Sequence, residues 1–195
     1  MTSSERTSPA GSTISSQEAA HHEAGHAVVA VSLGGQVSRI ARCDSAHDDL
    51  DRWAIIVGDD FRETQHLERA TTSLAGPLSQ LMSASDDDWW AGETGEESVD
   101  RLLDDLRRHQ DDVGITEDLQ DAWRSLSEVC QVDLRDARQA IERRAAWRWL
   151  VTHARRVVTE NWVGIERIAE ELLVRGAVDR ELLNEILQRV KAEKR

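Results

Sequence analysis

A mainly α-helical domain with a small β-hairpin after its first helix is predicted by three features of this 195-residue chain. Apolar residues recur at three- and four-residue steps through most of its length, the spacing of one helix face. Ser15 with Glu18, Asn161 and Asp179 stand where helix-capping side chains belong. Only two short stretches carry the β-branched apolar residues of strands. With 39% hydrophobic and 31% charged residues, the composition is that of a globular domain with a polar surface. The division expected is a disordered tail over residues 1–14, rich in Ser and Thr, and one domain over residues 15–195.

Taken in order, Ser15 and Glu18 form a capping-box pattern that opens a first helix. Its later part, Ala27 to Leu33, is apolar on almost every side and ends at Gly34-Gly35, where a helix stops. Such a helix should be buried. Val37–Arg42 and Trp53–Val57 are the two strand candidates, joined by an acidic link, Asp44 to Asp51, suited to an exposed loop. Asp60 with Glu63 resembles a capped start, and Leu67, Ala70, Leu74, Leu78 and Leu81 make one apolar stripe. Pro77 falls inside that stripe and predicts a kink or break. Ser83 to Glu97 reads as an acidic loop carrying Trp89-Trp90. Helices are expected over Ser98–Gln110, Glu117–Val129 and Leu134–Thr159. Asn161 should cap a further helix carrying Ile165, Ile168, Ala169, Leu172 and Leu173, closed by Gly176, and Asp179 should cap the last.

Charge and composition exclude several classes of function. A net charge of −13 opposes binding to nucleic-acid phosphates and to an anionic membrane face. No apolar run approaches the ~18 residues of a membrane helix. The N-terminal stretch lacks the apolar core of a secretory signal. Two cysteines, Cys43 and Cys130, lie far apart without a CxxC partner, as in a reduced, cytoplasmic protein. Seven Trp with no Tyr predict tryptophans as core anchors and leave no tyrosine hydroxyl as an oxyanion donor. No GxxxxGK phosphate loop occurs, so ATP is not bound by that route.

One segment points to chemistry: His22-Glu23-Ala24-Gly25-His26. Histidines four apart on a helix share a face, and two imidazoles there can converge on one Zn²⁺ at about 2.0–2.1 Å. Glu23 is turned by roughly 100° from His22, beside the metal, where a carboxylate can take a proton from the activated water. The small residues Ala24 and Gly25 allow another element to pack closely behind. His21 reads as an unrelated surface histidine. Catalytic zinc needs a third protein ligand. The HExxHxxGxxH continuation is absent, since positions 29 and 32 are Val and Ser. The acidic and histidine candidates are Asp86, Asp87, Asp88, Glu93, Glu96, Glu97, Asp100 and His109.

Ala20 to Ala30 closely resembles the zinc helix of FtsH-type, ATP-dependent metallopeptidases. Leu74-Ala75-Gly76-Pro77-Leu78-Ser79-Gln80 is similar to that family's LAGRAAE helix. Thr94-Gly95 through Asp100-Arg101-Leu102 is similar to its TGASNDL segment. Asn161 to Gly176 resembles the closing helices of related small proteins. The resemblance implies a helical zinc metallopeptidase domain without ATPase or membrane helices, and it carries the third metal ligand to Asp100, with Glu97 or Glu96 as fallback. Two departures stand out. The Gly95–Asp100 spacing is one residue longer, and Gln80 replaces the family's glutamate, so it can hydrogen-bond to a ligand but supplies no charge.

The expected function is therefore zinc-dependent hydrolysis of peptide bonds in unstructured polypeptides, with His22, His26 and Asp100 holding the metal and Glu23 as base. Trp53–Val57 could pair with an extended substrate as an edge strand. A homo-oligomer or a separate ATPase partner that feeds the site is compatible with the resemblance. A zinc-stabilised, proteolytically inactive interaction domain of the same fold is the alternative, and a chance motif in a helical binding protein ranks last.

Overall fold

The computed structural model describes residues 15–43, 52–57, 65–84, 113–130 and 140–194. Five helices and three strands run along them in the order α1 (Ser16–Ser32), β1 (Val37–Cys43), β2 (Arg52–Val57), α2 (His66–Ala84), α3 (Val113–Cys130), α4 (Ala140–Arg175), β3 (Ala177–Asp179) and α5 (Arg180–Glu193). The domain is mainly helical with a small antiparallel sheet, as the sequence predicts.

α1 begins where the capping box places it. The Glu18 amide donates to Ser15 Oγ at 3.2 Å, and the Ser15 amide to Glu18 Oε2 at 2.7 Å, satisfying two amides that a helix start otherwise leaves free. Gly34 and Gly176 follow helix ends with φ of 88° and 73°, a left-handed conformation that costs a residue with a Cβ. Asp179 caps α5 by accepting from the Leu182 amide at 2.9 Å.

The hairpin forms as expected. β1 and β2 pair antiparallel, with Ile40 opposite Ile55 and Ala41 opposite Ala54. The strand order is β2-β1-β3. The third strand is an addition: Val178 pairs with Ile40 and Ala177 with Ala41. Both Ile40 and Val178 are buried.

Two helical expectations need correction. α2 passes through Pro77 without a break and runs on to Ala84. Leu74, Ala75, Pro77 and Leu78 are all buried on this stretch, so packing against α1 and α3 offsets the one lost backbone bond. From Ala140 on, the helix expected over Leu134–Thr159 and the one expected to start at Asn161 are a single 36-residue helix, α4. Asn161 lies inside it, its amide nitrogen donating to the Val157 carbonyl at 2.8 Å. An Asn side chain bonded back one turn is accommodated within a helix instead of starting one. The loop expected over Ser83 to Glu97 loses its first two residues to α2; the rest of it, the tail over residues 1–14, the link Asp44 to Asp51, the Asp60 cap and the Ser98–Gln110 helix lie outside the described residues.

Three helices make the centre. α1 packs extensively on α2 and on α4, and α2 packs on α3. Ala24, Ala27, Val28 and Val29 of α1 meet Leu74, Ala75 and Leu78 of α2 and Val151, Ala154, Val158, Ile165 and Ile168 of α4 in one apolar cluster. Alanines and a glycine on α1 let its neighbours approach closely, the arrangement expected from Ala24 and Gly25. Trp123, Trp147 and Trp162 pack partly buried against this cluster, while Trp149 is half exposed, so tryptophan serves as a core anchor at three of the four positions whose side chains are described. Among the described residues, no helix is long and apolar enough to cross a membrane.

Candidate metal centre

His22 and His26 lie one turn apart on the buried helix α1, and their ring nitrogens meet: Nε2 of one is 3.1 Å from Nε2 of the other. Asp118, from α3, reaches both. Its Oδ2 lies 2.9 Å from His22 Nε2 and 3.1 Å from His26 Nε2. The three side chains are largely shielded, with 11%, 13% and 22% of their surfaces exposed. Among the described residues this is the group of His, Cys, Asp and Glu whose ligand atoms converge closely enough to hold a metal ion.

The opposite ring nitrogens fix what the converging atoms are. His22 Nδ1 lies 2.9 Å from Gln80 Oε1, and His26 Nδ1 lies 2.7 Å from the Thr72 carbonyl oxygen. Both partners are acceptors only, so each Nδ1 carries a proton and donates it. A neutral imidazole protonated at Nδ1 has its lone pair on Nε2. Two lone pairs and a carboxylate oxygen thus crowd within about 3 Å of one another, an arrangement that needs a cation among them. A tetrahedral ion with bonds of about 2.0–2.1 Å sets its ligands about 3.3–3.4 Å apart, within a few tenths of the observed separations. The residues fit a small divalent metal.

Without metal, the cation is a proton. Burial alone pulls the His26 pKa down, but the adjacent Asp118 carboxylate, the hydrogen bond to it, Glu23 and the Thr72 carbonyl raise it overall to about 9, from 6.5. Burial opposes ionisation of Asp118, yet the two histidines hold its carboxyl well below the usual range. Each shift has a definite sign for the metal-free fold. The His26 contribution is full below pH 6.5 and lost as pH rises through about 9; the Asp118 contribution is present above its ordinary 3.8 and lost as pH falls below it. Metal must displace the His26 proton. Zinc binding near pH 7 should therefore release about one proton, and apparent affinity should climb about tenfold per pH unit until the pH nears 9. Titration calorimetry in buffers of different ionisation enthalpy measures that release. A pH-independent affinity between 6 and 8 would contradict this electrostatic account.

Glu23 lies outside the converging trio but within its electrostatic reach. Burial raises its pKa, the two histidines partly counter this, and Asp118 adds to it. The direction makes its carboxylate a stronger base.

Of the residues the sequence reading groups together, His22 and His26 converge with Asp118, and Glu23, next to His22 on α1, lies within their electrostatic reach. Gln80 takes the outer role expected of it, orienting His22. Asp100, with the fallback residues Glu96 and Glu97, lies outside the described residues. Asp118 was not among the sequence candidates, although a signal for it exists. Ile115, Asp118, Ala122 and Leu126 share one face of α3, and the three apolar members are buried. A carboxylate on the apolar side of an amphipathic helix is costly unless it is paired. His21 also departs from expectation. It is buried, not on the surface; its Nδ1 donates to the Gln17 carbonyl at 2.9 Å and its ring stacks on Trp162 of α4. The apolar packing between α1 and α4 draws it in.

No family model matches the chain, and no curated protein matches it.

Proposed function

We propose that this protein is a zinc-dependent metallopeptidase acting on unstructured polypeptides, built like the peptidase domain of the FtsH-type enzymes. The observation that carries the reading is the convergence of His22 Nε2, His26 Nε2 and Asp118 Oδ2, each histidine held by a separate acceptor behind it. Three protein ligands and a free coordination position describe a catalytic zinc site, whereas structural sites are closed by four. A zinc ion held there would polarise a peptide carbonyl and lower the pKa of a water molecule toward ~7.

The protein's own groups supply the remainder. Gln80 and the Thr72 carbonyl hold the two imidazoles in the ligating tautomer. Asp118 would contribute the one full negative charge among the three ligands and offset half the charge of a divalent ion. Glu23, beside the ligands, would take a proton from the attacking water as its oxygen bonds to the peptide carbon and pass it to the nitrogen as the C–N bond breaks, so that the amine leaves neutral. Among the described residues β2 is an outer strand of the sheet, and an extended substrate could add to that edge by main-chain hydrogen bonds. Strand addition needs an unfolded segment, which is why the substrate class is unstructured polypeptide. Folded substrates would require a partner ATPase or an assembly that unfolds them. The setting proposed is the cytoplasm, where the exposed Cys130 remains a free thiol.

The purified protein should carry about one zinc per chain, and His22→Ala or His26→Ala should remove it. Elemental analysis after zinc supplementation checks this. Casein or an unfolded peptide should be cleaved by the zinc-loaded protein, not after chelation, and again once zinc is restored. A wild-type protein that takes up no transition metal would remove the proposal's foundation.

A further inference from the structure

The His26 ring is seated directly on α2. Its Nδ1–H is fixed by the Thr72 carbonyl, and one turn further on, at position 76, the same face of α2 has no side chain. A Cβ at Gly76 would lie 2.6 Å from His26 Cε1 and 2.7 Å from Cδ2, and would overlap Nε2. Ordinary carbon contacts are about 3.5–4.0 Å. The ring has nowhere to retreat, since its two nitrogens are engaged by Thr72 on one side and by His22 and Asp118 on the other.

Glycine inside a helix is unfavourable relative to alanine, so its presence at a buried helical position calls for a packing reason. We infer that Gly76 is a positioning residue for the metal centre: the missing side chain is what allows the His26 ring to lie against α2 with Nε2 aimed at His22 and Asp118. Gly25 has a different part at the same interface. A Cβ there would meet the Ala75 carbonyl oxygen at 2.6 Å and Ser79 Cβ at 2.8 Å, so Gly25 sets the distance between helices while Gly76 sets the ring. The consequence for zinc rests on the metallopeptidase reading; the steric claim does not.

A thermal double-mutant cycle in metal-free protein tests the steric claim. Gly76→Ala should lower the Tm of the wild type. In a His26→Ala background the obstacle is gone, and the same substitution should raise Tm by about 2–4 °C, the gain expected of a glycine-to-alanine change inside a helix. Should Gly76→Ala alone fail to fold, refolding of the double variant is the same result in stronger form. An equal loss in both backgrounds would overturn the inference. A zinc titration of Gly76→Ala should show affinity reduced by about 10–100-fold, the range for groups that orient a ligand, with Gly25→Ala as the comparison for helix spacing. Unchanged affinity in Gly76→Ala would equally overturn it. If wild-type protein binds no zinc, the metal reading fails and the thermal cycle alone decides the role of Gly76.

Discussion

Asp118→Ala should weaken zinc binding by more than about 100-fold, because a direct ligand matters more than an outer partner, itself worth about 10–100-fold. The expectation follows from a single carboxylate oxygen lying within 3.1 Å of both Nε2 atoms. Metal affinity is the decisive readout, since Asp118 also pairs with the protonated His26 in metal-free protein, and its loss shifts stability there too. Competition against a chelator of known strength measures the effect. Asp100→Ala, made in parallel, should leave affinity unchanged. The opposite pattern would move the third ligand to Asp100, as the family resemblance implies. Loss in both variants would mean four protein ligands, a closed site, and would favour a zinc-stabilised interaction domain.

Glu23→Gln should retain zinc and lose peptidase activity by at least about 100-fold, the lower range for removing a general base. The amide is nearly the same shape as the carboxylate but cannot accept the water's proton. Because Glu23 lies beside the metal trio and is not one of its members, the substitution separates chemistry from metal binding. Equal cleavage of an unfolded peptide by variant and wild type would remove Glu23 from the mechanism. Absence of cleavage in both would turn the reading toward the inactive interaction domain.

The parts legible in the sequence are those governed by local rules. The Ser15–Glu18 capping box, the Asp179 cap and the glycines after α1 and α4 act within one turn, and each is found as expected. The His22–His26 pair is also local, fixed by helical spacing alone. Tertiary packing decided the rest. The β3 strand is three residues long and pairs with β1 only because α4 delivers it there, so no pattern of its own announces it. Asn161 beside a tryptophan reads as a cap until α4 is seen to continue through it, driven by the burial of Val157 and Val158 before it and Ile165 and Ile168 after it. Asp118 lies 92 residues from His26. Its selection among the chain's 37 Asp and Glu residues depends on how α3 seats on α2, which sequence spacing does not encode. Gly76 belongs to the family-like segment Leu74–Gln80, whose sequence gives no sign of the His26 ring that lies against it.

The central claim is that one divalent zinc ion sits among His22, His26 and Asp118 with a coordination position left free. Anomalous diffraction at the zinc edge, from crystals of the zinc-loaded protein, measures this directly. The account predicts one strong peak per chain, about 2.0–2.1 Å from both Nε2 atoms and from an Asp118 carboxylate oxygen, with no fourth protein side chain on the metal. No peak at this position, or a peak enclosed by four protein ligands, would contradict it.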